Sequence, residues 1–136
     1  MGQYQNVPGP SQDEFNAQTQ AIANLLTPVD VSNYFENCTV YYACKIGKLV
    51  VFSVNVARSV LSIYQSYQGT ATIIKSGLLP RGITTVSVMR GDRANITYDA
   101  GGYINESGLL VLMADANLNS VSSDTGWFIA GTYVMP

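Results

Sequence analysis

The sequence contains no histidine. Its absence excludes His-based general acid–base catalysis, the common nucleophilic triads and histidine metal ligands. The two cysteines, Cys38 and Cys44, fall in one predicted strand, which would hold their Cα atoms about 20 Å apart, too far for a disulfide. We therefore predict free buried thiols. Since two cysteines do not make a zinc ligand set, we expect neither a metal nor another cofactor.

Charge is also scarce. Charged residues make up 12% of the chain, against roughly 25% in typical domains. The net charge of −2 offers no basic patch for a polyanion, so we expect no nucleic-acid partner. Hydrophobic residues make up 47%. A surface with so few strongly hydrated groups favours burial against sister subunits or a larger particle.

Targeting and membrane segments are not predicted either. The first 20 residues carry neither a basic start nor an apolar run, as a signal peptide would. The longest apolar run, residues 109–114, is too short to cross a bilayer. We therefore expect no membrane insertion.

The sequence divides into three parts. Residues 1–10 are polar and rich in proline and glycine, and cannot fold alone, so we predict an anchor that docks onto another chain. Residues 11–28 predict a short stem helix, because Ser11 and Glu14 have capping-box spacing and Pro28 cannot continue a helix. Residues 29–136 change to strand-like alternation and predict the head domain.

One face of the predicted helix is apolar. It carries Phe15, Ile22, Leu25 and Leu26, with Thr19 among them and Gln, Asn and Ala around them. About two heptads are too short to be stable alone. We interpret the stripe as the seam of a homotrimer, with packing of the helix onto its own head as the alternative.

The head reads as a series of short strands separated by turns. The segment 59–69 is ambiguous between helix and strand, residues 115–126 predict a long polar loop, and Gly47 suits a hairpin turn that needs a positive φ. The predicted strands are residues 38–44, 48–57, 70–75, 83–89, 94–98, 103–104, 109–114 and 127–135. About eight such strands predict a mainly β protein, an antiparallel β-sandwich or jelly-roll-like head preceded by a short N-terminal helix.

Four residues are candidates for ligand contact. Tyr64 and Tyr67 lie among amides and a serine, a composition that suits stacking on a sugar ring, although packing in the core or an interface is the favoured interpretation. Asn119 and Asp124 lie in the long polar loop, a common place for binding residues. Residues 90–92 spell Arg-Gly-Asp, which we interpret as a hairpin turn.

No catalytic pair is evident. The carboxylates near turns are scattered, and no spacing singles out two of them as a glycosidase would need. No Asp-x-Asp-like calcium loop occurs. These candidate carboxylates are Asp92, Asp99, Glu106, Asp115 and Asp124.

Residues 38–136 resemble the C-terminal head domains of phage fibre and receptor-binding proteins. The resemblance is carried by the strand pair at 42–50, the Gly-Leu-Leu-Pro-Arg-Gly link at 77–82, the hairpin at 104–110 and the final strand at 127–134. It implies a homotrimeric β head on the virion, with a role in host attachment or surface decoration. No ligand-binding residue carries over. Because the chain has almost no shaft, a short fibre or knob is favoured.

The sequence thus predicts a non-enzymatic virion protein, assembled in the host cytoplasm. Its residues 1–10 would bind another virion protein, and its head would face outward. The main alternative is a lectin-like tip that recognises a host surface glycan. A carboxylate-dependent glycan hydrolase on the same scaffold is the third hypothesis.

Overall fold

The computed structural model describes residues 11–91, 99–114 and 116–136. Helix α1 comprises Gln12–Leu26 and begins as predicted. The Glu14 backbone N–H donates to the Ser11 hydroxyl oxygen over 3.1 Å, which satisfies one N–H group of the first helical turn. The helix ends where the residue before Pro28, Thr27, takes an extended conformation. The predicted anchor, residues 1–10, lies outside the described residues.

The remainder of the described chain forms one nine-stranded sheet. Its strands are β1 (Val29–Asp30), β2 (Thr39–Ile46), β3 (Leu49–Ala57), β4 (Ser62–Gln65), β5 (Gln68–Thr72), β6 (Thr84–Arg90), β7 (Asp99–Ile104), β8 (Leu109–Met113) and β9 (Gly126–Val134). The spatial order is β1-β2-β3-β9-β6-β7-β8-β5-β4, and neighbouring strands run antiparallel. The predicted mainly β class with an N-terminal helix is confirmed, whereas the division into two sandwich layers stays a prediction.

One face of the sheet forms the core. Strand β3 shows why: Val50, Phe52, Val54 and Val56 are fully buried, while the residues between them face the other side. Strands β8 and β9 contribute their alternate residues to the same core, and Trp127 is 0% exposed. The largest of the other fully buried side chains are Ile73, Ile74, Leu78, Ile104, Leu110, Leu112, Leu118 and Ile129.

The sheet curves around this core. Phe35, which follows β1, forms an isolated bridge with Ile74, which follows β5. The Glu36 N–H donates to the Ile73 carbonyl over 2.9 Å, and the rings of Phe35 and Phe52 lie 5.4 Å apart. Because β1 and β5 lie near opposite ends of the strand order, these contacts bring the two ends of the sheet together.

Two glycines make the turns possible. Gly47 joins β2 to β3 with φ +60°, and Gly108 precedes β8 with φ +80°, a region that favours residues without a Cβ. At Gly108 a Cβ would also collide with the carbonyl oxygen of Ile74. The positive φ predicted for Gly47 is therefore confirmed.

The structure resolves the ambiguous segment and moves some of the predicted strand boundaries. The ambiguous segment 59–69 is a 3-10 turn, Arg58–Val60, followed by the β4–β5 hairpin. Strand β5 ends at Thr72 rather than 75, because Ile73 and Ile74 bond to the Gly108 carbonyl outside the ladder. The predicted hairpin arm 94–98 lies outside the described residues, and the strand that pairs with β6 is β7.

The thiols are free, as predicted. Both are half-buried rather than buried. Cys38 precedes β2 instead of lying within it, because Asn37 adopts a positive φ of 58° and interrupts the extended backbone.

Candidate interaction surfaces

Helix α1 buries none of its residues against the head. The alternative of a helix packed onto its own domain is therefore wrong for the chain as described. The four side chains of the predicted seam are all exposed: Phe15 by 56%, Ile22 by 59%, Leu25 by 65% and Leu26 by 67%. A stripe of large apolar groups left in water is typical of a surface that another chain covers.

The polar side of the helix is satisfied locally. The Gln12 amide donates to the Asn16 side-chain oxygen, and Gln20 donates to Asn24 in the same way, each over 2.9 Å. Such i, i+4 pairs contribute only a few tenths of a kcal/mol each. These hydrogen bonds stabilise the helix slightly, but they are too weak to substitute for burial of its apolar side.

The foot of the helix adjoins the β2–β3 turn. Leu25, Thr27 and Val29 line a shallow cleft together with Lys45 and Gly47. Beside this turn, Leu49 of β3 pairs with Val134 of β9, and these side chains are 39% and 48% exposed. Exposed apolar groups therefore lie both on the helix and at the end of the sheet that carries this turn.

A second candidate surface is the side of strands β2, β3, β9 and β6 that faces away from the core, which we call the outer sheet face. Its outward positions, fixed by alternation with the buried residues and by the strand register, carry no charge. Its main members are Tyr41, Tyr42, Cys44, Ile46, Leu49, Val51, Ser53, Asn55, Thr85, Ser87, Met89, Phe128, Ala130, Thr132 and Val134.

The centre of the outer sheet face is apolar. Tyr41, displaced by an irregularity in the β2–β3 register, stacks on Phe128 with ring centroids 5.8 Å apart. Beside this pair is a shallow depression whose lining includes Ser87, Met89 and Ala130. Met89 is 52% exposed and Phe128 is 37% exposed. Because exposed faces of antiparallel sheets are ordinarily polar, this face also has the character of an interface.

The third candidate surface is the β4–β5 tip, where the structure brings three segments together. The Leu118 N–H donates to the Ser66 carbonyl over 2.6 Å, and the Arg58 side chain donates to the Leu118 carbonyl over 2.7 Å. The Arg58 N–H also donates to the Thr125 carbonyl over 2.7 Å. The tip therefore joins the hairpin of Tyr64 and Tyr67 to the loop of Asn119 and Asp124.

All four predicted ligand residues are exposed. Tyr64 is 74% exposed and Tyr67 is 55% exposed, so core packing, one of the favoured interpretations of these tyrosines, is wrong. Sequence reasoning missed Arg58. The only signal in the sequence was a single positive charge after a long apolar strand. That signal does not indicate that the Arg58 side chain donates to the Leu118 carbonyl.

Within the described ranges, three titratable groups have shifted pKa values. Burial, assisted by the negative charge of Glu36, raises the pKa of the Cys38 thiol to about 11, which disfavours the nucleophilic thiolate at neutral pH. Burial also raises the pKa of Tyr133, whose hydroxyl donates to the Leu78 carbonyl over 2.6 Å. Hydrogen bonds from the Ser32 hydroxyl and backbone lower the pKa of Asp30.

The candidate carboxylates do not form a described site. Glu106 is exposed in the turn before β8, and Asp124 is exposed in the loop before β9. Asp99 begins β7, while Asp92 and Asp115 lie outside the described residues. In the ranges 11–91, 99–114 and 116–136, no three His, Cys, Asp or Glu residues are grouped as metal ligands.

Two further findings concern membrane-spanning segments and similarity to known proteins. Within the part that the structure describes, no helix has both the length and the hydropathy needed to cross a membrane. No protein-family model, curated protein or solved structure matches this sequence.

Proposed function

We propose that this chain is a phage virion structural protein, a short homotrimeric fibre or surface knob that contributes to host attachment or decoration. Residues 1–10 would anchor it to another virion protein, helix α1 would form the stem and the β head would face outward. The chain would act by binding, without catalysis. The observation that carries the proposal is the helix whose apolar stripe is exposed and which buries none of its residues against the head.

Helix α1 has little stability of its own. A helix of 15 residues is marginal in water, because its nucleation is costly and few hydrogen bonds follow. Burial of Phe15 and Ile22 in a bundle would contribute about 1.5–3 kcal/mol per side chain. The folded head would hold neighbouring helices at a high effective concentration. The choice of three copies comes from the resemblance of the head to phage fibre heads.

The test compares Ile22→Asp with the parent protein by sedimentation equilibrium and thermal melting. A carboxylate in an apolar seam lacks solvation and a partner, so we expect the trimer to dissociate while the circular dichroism of the β head survives. The matched control is Asn24→Asp, which adds the same charge on the opposite side of the helix and keeps the side-chain oxygen that accepts from Gln20. Either of two results would contradict the proposal that α1 forms the stem. One is a parent protein that is monomeric at micromolar concentration, and the other is an Ile22→Asp protein that assembles like the parent.

A second function is favoured by the β4–β5 tip. Two exposed tyrosine rings beside exposed amides can stack on a sugar and bond its hydroxyls. We therefore keep glycan recognition by Tyr64, Tyr67, Asn119 and Asp124 as the alternative function. Tyr64→Ala and Tyr67→Ala should each lower binding on a glycan array at least tenfold. Tyr34→Ala removes another exposed ring away from the tip and should not.

A further inference from the structure

We propose that the outer sheet face is a second interface between copies of this chain, in which the heads contact one another as well as the stems. This inference rests on the homotrimer of the proposed function and adds a contact that the stem does not supply. It commits to one occupant, a second copy of the same chain.

The outer sheet face avoids an electrostatic cost. Where the same face of each copy meets at the symmetry axis of a homomer, every charge on that face is brought near its own counterparts, and like charges left unpaired there are costly. The outward positions of β2, β3, β9 and β6 avoid this cost because none of them is charged. A strongly charged partner would find no group on this face to pair with.

The outer sheet face begins at the same end of the head as the stem. The helix foot lies beside the β2–β3 turn, and exposed Leu49 and Val134 begin the outer sheet face at that same end. Copies joined along their helices would therefore have these ends of their heads close together. The stem would raise the effective concentration of one face at the next copy.

The area of the outer sheet face suits a contact that adds to the stem. Strands β2, β3, β9 and β6 have 8, 9, 9 and 7 residues. At strand and residue spacings of about 4.8 and 3.3 Å they span roughly 500 Å². A standard interface takes about 800 Å² from each partner. The face is too small to hold two copies alone but has a suitable size beside the stem, so the two contacts together account for a stable assembly.

The test places charges of both signs on the outer sheet face. Ser87→Glu and Thr85→Lys alter exposed positions of β6. Ser123→Glu and Ser76→Lys are their controls at exposed positions outside the strands. All four proteins are compared with the parent and with Ile22→Asp by sedimentation equilibrium, and folding is checked by circular dichroism. We expect both face variants to raise the dissociation constant at least tenfold and both controls to change it less than twofold.

A measurement on the parent protein tests the same interface without depending on whether a variant folds. Cys44 belongs to the outer sheet face, and its alkylation by a maleimide can be followed by peptide mass spectrometry. Its labelling should be at least fivefold slower in concentrated, assembled protein than in dilute, dissociated protein. Equal labelling rates in the two states would overturn the inference.

The other outcomes separate the face from the stem. If the folded face variants assemble like the parent while Ile22→Asp dissociates, the face inference is overturned and the stem stands. If the face variants dissociate while Ile22→Asp does not, the face inference is supported and the stem is overturned. A parent that is monomeric at every concentration overturns both.

Discussion

At the scale of single residues, the backbone is most constrained at Gly108, whose conformation other residues rarely adopt. Gly108 combines a φ of +80° with close approach to the Ile74 carbonyl. Its own carbonyl accepts from Ile73 over 3.0 Å. A single position therefore sets both the turn before β8 and the path of the chain after β5.

We predict that Gly108→Ala destabilises the head by at least about 2 kcal/mol, because it adds an unfavourable φ to a backbone collision. Gly82→Ala is the matched control, since a Cβ there meets nothing within 4 Å and should change stability by less than about 1 kcal/mol. Urea unfolding of the two variants and the parent measures both effects. Equal midpoints for the two variants would show that the Gly108 turn can relax.

Residue-level reasoning from the sequence succeeded where a signal is local. The Ser11 cap, the Gly47 turn and the alternation of Val50, Phe52 and Val54 follow from chemistry within a few positions. The exposure of Tyr64 and Tyr67 could not be predicted in this way. Alternation shows only that two sides of a segment differ, and the side that becomes buried depends on what β5 and the 118–120 turn bring to it.

The strands of the head depend on one another for burial more than helix α1 depends on the head. The ladder between β3 and β9 pairs nine positions on each strand, and both strands bury alternate residues in one core. Helix α1, in contrast, contributes nothing to that core. Head and helix should therefore behave as separable units, although the helix needs a partner to be stable.

We predict that deletion of residues 1–28 leaves the head folded, with a melting temperature within a few degrees of the parent's at a concentration where both are dissociated. The reason is that α1 buries no residue of its own against the head. Differential scanning calorimetry of the dilute proteins makes the measurement. A loss of the cooperative transition in the shortened chain would show that the helix supports the head directly.

At the scale of the whole molecule, charge placement distinguishes this protein from an ordinary monomer. The outer sheet face lacks charge, as do residues 15–26 of α1, and charged groups such as Lys48, Arg81 and Glu106 lie in turns and links. The sequence showed that charge was scarce. It could not show that charge was missing from two surfaces in particular, because that requires the strand order, and strand order depends on contacts between distant segments.

The position of β9 has a consequence for biosynthesis. This strand comes last of the nine in the sequence, yet it lies between β3 and β6 near the middle of the sheet. A nascent chain that ends before residue 126 holds β3 and β6 with no strand between them, and each then presents an open edge. The ribosome must therefore deliver residues 126–134 before the sheet can be completed. A prematurely terminated product would be an aggregation-prone fragment rather than a smaller working head.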